Sequence, residues 1–146
     1  MTAKQMAQAE LVALQQIVDG VKDADTEALE KEIAQAKRIF VGGAGRSLLS
    51  MKGFAMRLMQ TGHETYLVGE VCTPSVQPGD LLIVGSGSGE TKVTLDVVNK
   101  AKGHGARVAV LTMHGNSPIA QACDCAVVLA GIPAVSPEDT EASIFA

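Results

Sequence analysis

The chain has 146 residues, 47% of them apolar, which suits one domain built on one core. Its net charge of −4 argues against nucleic acid or a membrane surface as partner, because both need a basic face. The three cysteines, Cys72, Cys123 and Cys125, are odd in number and lack zinc-ribbon spacing. They read as reduced packing residues in a cytoplasmic protein, with no redox or metal role. The opening MTAKQMAQAELVALQQ is polar and amphipathic, not a secretion signal, and no apolar run reaches membrane-spanning length.

Residues 3–22 place Leu11, Leu14, Ile17, Val18 and Val21 at three- and four-residue steps and predict an amphipathic helix. Asp25 can cap a second helix that turns Leu29 and Ile33 inward and carries Lys37 and Arg38 near its end. The period then changes. Residues 38–42 read as a short buried strand, GGAGRS as a loop, and 47–60 as a helix. That helix is apolar almost all round, which points to burial on more than one side and to a subunit interface. Gly62 suits its C′ position. Strands follow at 65–68, 80–84, 107–112 and 125–129, with helices at 91–102 and 117–122. The strands are continuous apolar runs alternating with helices, the pattern of a parallel sheet covered on both faces. The expected fold is α/β, a doubly wound five-stranded parallel sheet in flavodoxin-like order 2-1-3-4-5. After Leu129, AGIPAVSPEDTEASIFA reads as loop, so residues 1–146 are expected to form one domain that lacks its closing C-terminal helix.

In such a sheet ligands sit at the carboxyl ends of the strands, where strand order reverses. The loops there are GGAGRS (42–47) and GSGSGET (85–91), the two corners richest in glycine and hydroxyls. A helix N-terminus offers unpaired N–H groups and partial positive charge, and glycines let an anion approach the backbone. Ser86, Ser88 and Thr91, with Ser47 from the neighbouring loop, can ring a phosphate ester. The competing reading is that Ser88 or Thr91 merely caps a helix. Two nucleotide motifs fit poorly. Gly43 and Gly45 begin a G-x-G-x-x-G whose third glycine is Leu48, and GSGSGETK lacks the P-loop offset for Lys92.

VGGAGRSLLSMKGFAMRLMQTGHETYLVGE followed by SGSGET resembles the sugar isomerase (SIS) domain and, within it, the 6-phospho-3-hexuloisomerases. SGSGET marks only the superfamily; the stretch from Gly45 to Met59 is the more specific. The resemblance implies conversion of D-arabino-hex-3-ulose 6-phosphate to fructose 6-phosphate in the ribulose monophosphate pathway, without metal, nucleotide or other cofactor, in a family that is usually tetrameric. It also implies that Ser47 and the run Ser86, Gly87, Ser88, Gly89, Glu90 and Thr91 bind the sugar phosphate. Gly45 and Arg46 would shape the first loop. Lys52 and Arg57 match family positions and serve packing or the interface. Two departures stand out. Family members often carry His where this chain has Gln60, and the family's expected base is a glutamate in a P-x-G-S-x-F-E segment that this sequence, ending at Ala146, does not contain.

The reaction moves a carbonyl from C3 to C2 through a cis-enediol and needs a general base and donors for the enediolate oxygen. The candidate acid–base groups within the chain are His63 and Glu90. Glu90 reads equally as a helix-start acid and His63 as a loop residue. His104 and His114 lie in turn contexts, His114 near the ligand edge, and Asp124 and Glu138 read as surface residues. A sugar-phosphate sensor without catalysis and an aldose–ketose isomerase are the rival functions.

Overall fold

The apolar runs fold as the alternation of strand and helix predicts. The computed structural model describes residues 1–129, in the order α1 (Ala3–Gly20), α2 (Asp23–Gln35), β1 (Ile39–Gly43), α3 (Gly45–Gln60), β2 (Thr65–Leu67), β3 (Leu81–Gly85), α4 (Lys92–Gly103), β4 (Arg107–Thr112), α5 (Pro118–Ala122) and β5 (Cys125–Val128). The five strands form one sheet in the order β2-β1-β3-β4-β5, every pair parallel. Alternate residues face opposite sides, and both sides are buried. Ile39, Val41, Leu81 and Ile83 pack with Leu29 of α2 and Met51, Ala55 and Leu58 of α3. Phe40, Leu82, Val84 and Val110 pack with Val98 and Ala101 of α4 and Ile119 of α5. Residues 68–80, which join β2 to β3, contain no helix.

The amino ends of the strands are fixed by charge. Asp80, just before β3, is 2% exposed. It accepts from Arg38 Nε (3.0 Å) and Nη2 (2.5 Å) and from the Gln77 N–H (2.7 Å). Burial works to raise the Asp80 carboxyl pKa, but the hydrogen bonds from Arg38 and Gln77 outweigh it and hold the carboxyl below its ordinary value. Arg107 opens β4 and bridges Glu32 of α2 and Asp124 (3.2 Å). Asp124, exposed as expected of a surface acid, also accepts the Val108 N–H at 2.8 Å and so has a structural role as well.

Two expectations change. The helix start assigned to Asp25 lies earlier. Lys22 is the N-cap residue, because the Asp25 N–H already donates to the Lys22 carbonyl, and Asp23 and Asp25 sit in the first turn. There they still complement the helix dipole. The helix ends at Gln35, which leaves Arg38 for Asp80. The amphipathic α1 has no buried residue; Leu11, Leu14 and Val18 are each more than half exposed. The expected loop after Leu129, with Glu138 and the question of a closing helix, lies outside the described residues.

Candidate functional site

Gly43 and Gly85 end β1 and β3 as register partners, which sets the loops 42–47 and 85–91 side by side at the carboxyl edge. A Cβ on Gly43 would sit 3.0 Å from the Gly85 carbonyl oxygen and 3.3 Å from the Leu48 nitrogen, so the approach of the two loops excludes a side chain there. Gly45 opens α3, followed by an exposed Arg46 and a half-buried Ser47 in its first turn.

The second loop is shaped by its own hydroxyls. Ser86 is 3% exposed, accepts the Gly89 N–H at 3.1 Å and lies 3.5 Å from the Thr91 hydroxyl. Ser88 Oγ accepts the Glu90 N–H at 3.2 Å. Thr91 is the N-cap residue of α4, yet its side chain makes no capping bond. Helix capping therefore does not use Ser88 or Thr91. Among the described residues, the N–H groups of Gly87, Ser88 and Thr91 have no protein acceptor. The corner combines hydroxyls, free amides and a helix N-terminus, the donor set that receives an anion.

A cavity of about 300 Å³ opens beside this loop, lined by Ser88, Glu90, His114, Asn116 and Ser117. The sequence-predicted set contains only the first two of these. The other three come from the β4–α5 loop, which folds against the 86–91 loop. Ser117 caps α5 by accepting the Ala120 N–H at 3.3 Å, and Pro118 follows it. Asn-Ser-Pro thus announced a helix start in the sequence; its place in the site depends on the register of β4 with β3.

The structure brings Gly45, Arg46, Ser47 and the residues from Ser86 to Thr91 to one edge of the sheet. It does not bring His63 there. His63 precedes β2, at the amino edge, with its N–H on the Leu58 carbonyl and its carbonyl taking the Thr65 hydroxyl. Within one chain, Glu90 is the acid–base candidate in the cavity. Lys52 pairs with Glu70 at 3.5 Å and Arg57 donates to Gln60 at 3.1 Å, both on the outside of α3. A second groove of about 420 Å³ lies between α4 and the β2–β3 connection. It is floored by Phe40, Val68, Leu82 and Val97 and includes no residue of the glycine loops.

Burial, then the neighbouring Asp124, pushes the Cys123 thiol up to about 12, and burial raises Cys125 as well. Both stay protonated at neutral pH and act as packing groups. Cys72 is exposed, contrary to the buried role expected of all three. Among the described residues no group of three or more His, Cys, Asp and Glu is placed to hold a metal ion, and no helix is long and apolar enough to cross a membrane.

Comparison with known proteins agrees with this geometry. Residues 32–143 match the SIS domain model. The chain is 42% identical over 118 residues to a 3-hexulose-6-phosphate isomerase of Methylomonas aminofaciens, covering 81% of this chain and 65% of the relative. It is 42% identical over 113 residues to the enzyme of that name from Bacillus subtilis, covering 77% of this chain and 61% of the relative. The chain thus spans somewhat less than two thirds of the length of these curated relatives. A crystal structure of a Methanococcus jannaschii protein, from which a function as 3-hexulose-6-phosphate isomerase was inferred, superposes with a TM-score of 0.76 at 30% identity. That match covers 99% of this chain and 85% of the other. With more than half its length matched by the family model, the chain is a member of the SIS domain family.

Proposed function

We propose that the chain binds a phosphorylated sugar at the paired glycine loops and serves the isomerisation of D-arabino-hex-3-ulose 6-phosphate to D-fructose 6-phosphate. The observation that carries this reading is the 86–91 loop, whose Ser88 and Thr91 hydroxyls are not spent on helix capping and whose Gly87, Ser88 and Thr91 amides have no protein acceptor among the described residues. Relatives named for this reaction, about two fifths identical along most of the chain, support the choice of substrate. Ser47, Ser86, Ser88 and Thr91 hold the phosphate, with Gly45 and Arg46 shaping the first loop and Gly87 and Gly89 the second. Glu90 is the proton-transfer group the cavity offers, with His114 lining the same space. Removing the proton at C3 of fructose 6-phosphate gives the 2,3-enediol, and returning one at C2 completes the exchange of carbonyl position.

The reading places the protein in the ribulose monophosphate pathway, in the cytoplasm, as a homo-oligomer. The exposed apolar face of α1, together with Leu49, Met56 and Met59 on α3, supports association, since such surface seldom stays bare. Sedimentation equilibrium tests that part; a monomer at micromolar concentration counts against it.

Proton NMR of fructose 6-phosphate with the protein in D₂O tests the reaction. Loss of the C3 proton signal is the expected result. Loss at C1 would instead mean an aldose–ketose isomerase. Binding with no exchange would mean a sensor or an enzyme without its base, which the same test on a longer chain separates, and no binding at all would remove the phosphate reading itself.

A further inference from the structure

The 86–91 loop does not hold its shape alone. The β3–β4 ladder continues past the end of β3, where the Ser86 N–H donates to the Leu111 carbonyl at 3.0 Å. One residue on, the Gly87 carbonyl accepts two donors from the end of β4: the Met113 N–H at 3.1 Å and the Thr112 hydroxyl at 3.3 Å. The same hydroxyl accepts the His114 N–H at 3.2 Å. Two residues further, the Gly89 carbonyl accepts the Ile119 N–H of α5 at 3.0 Å. Thr112 is 1% exposed and is itself fixed, because its carbonyl takes the Leu129 N–H at 2.8 Å.

Peptide planarity gives this anchoring a direction. In a trans peptide the C=O and the following N–H point opposite ways. Two donors from β4 on the Gly87 carbonyl turn it toward that strand, so the Ser88 N–H of the same plane must point away from it. That N–H has no protein acceptor among the described residues. Gly89 fits beneath because it lacks a side chain: its φ is +68°, and a Cβ there would lie 2.0 Å from Ser117 Oγ and 3.2 Å from Thr112 Oγ1.

We propose that Thr112 is a positioning residue for phosphate binding: through the Gly87 carbonyl it sets the plane of the 87–88 peptide and so presents the Ser88 amide to the phosphate group of the sugar. This rests on the phosphate-binding reading above and extends it to a residue that touches no substrate. Thr112→Val keeps the shape and removes the hydroxyl, while Thr112→Ser keeps the hydroxyl.

The test is a titration of fructose 6-phosphate into ¹⁵N-labelled protein, following the Ser88 amide, beside hydrogen exchange of the ligand-free wild type. In wild type the Ser88 amide is expected to shift saturably. In Thr112→Val the affinity is expected to fall about fivefold, the loss of one hydrogen bond's net worth, with a smaller Ser88 shift. Thr112→Ser should return the affinity to within about twofold of wild type. A folded Thr112→Val with wild-type affinity and a wild-type Ser88 shift overturns the proposal.

Hydrogen exchange decides the point even where Thr112→Val fails to fold. The Met113 and Ile119 amides, which donate to Gly87 and Gly89, should be protected about a hundredfold or more without ligand. Exchange at the unprotected rate would mean the loop is not held by β4, and the proposal falls. Protection without any binding by wild type would instead leave the anchored loop standing and remove the phosphate reading.

Discussion

The two edges of the sheet are built from different chemistry. At the amino edge, Arg38, Asp80, Arg107, Glu32 and Asp124 form ion pairs that tie strand to strand and helix to sheet. At the carboxyl edge the links are hydroxyls and peptide groups: Ser86 to Gly89, Thr112 to Gly87, Ile119 to Gly89. Full charges would be matched permanently by their neighbours. Neutral donors can hold a loop through one set of groups and leave another set unmatched. The comparison teaches that the edge meant to stay closed is paired by charge, and the edge proposed to receive an anion is held by groups that leave donors over.

The sharpest way to break that contrast is Asp80→Ala. It leaves Arg38 without its carboxylate beside a buried strand end, and a loss of about 3 kcal/mol in urea unfolding at pH 7 is expected, trimmed because Arg38 keeps some contact with water. A loss under about 1 kcal/mol would make the amino edge no stronger than an exposed ion pair. The same pair sets a pH dependence. The Asp80 carboxyl is held below its unfolded value of 3.8, so its contribution is whole above that pH and is lost as pH falls through the folded value. Stability of wild type measured from pH 6 down to pH 2 should therefore converge on that of the variant.

Gly89→Ala comes next and acts at the other edge. It forces a side chain into positive φ and against Ser117, at a cost of about 2 kcal/mol. Its clearer signature is functional: fructose 6-phosphate binding should weaken about tenfold or more as the 86–91 loop is displaced. Arg107→Ala should cost about 1 kcal/mol or less, because that guanidinium is half exposed. Thr94→Val is the smallest. Thr94 Oγ1, near the start of α4, is buried with no partner among the described residues, so replacing it with a methyl should raise stability by up to about 1 kcal/mol. A fall in melting temperature would mean the hydroxyl is satisfied in solution.

Much of this was legible in the sequence because local patterns carried it. Continuous apolar runs separated by amphipathic helices give parallel strands in the order found, and the glycines and hydroxyls of 42–47 and 85–91 mark the switch point. The SIS resemblance stated from Gly45 to Met59 and SGSGET agrees with the family match. What was not legible depended on which distant groups meet. Thr112, Asn116 and Ser117 carry no local sign that they abut the glycine loop, since that contact follows from β3–β4 register. His63 follows the family-like helix closely in sequence, yet α3 runs back from the carboxyl edge and delivers it to the wrong end of the sheet. The periodicity of α1 predicted a buried face and could not reveal that no other element of the described residues covers it.

The helix-free connection between β2 and β3 has a consequence for handling the protein. Its far half is pinned by Asp80, through the Gln77 N–H, and by Arg38, which donates to the Ser75 carbonyl at 3.1 Å. Protonating one carboxyl releases both attachments together. An acid-active protease such as pepsin should then make its first cut between residues 69 and 79, with the rest of the sheet still folded, and uncover the apolar floor formed by Phe40 and Leu82.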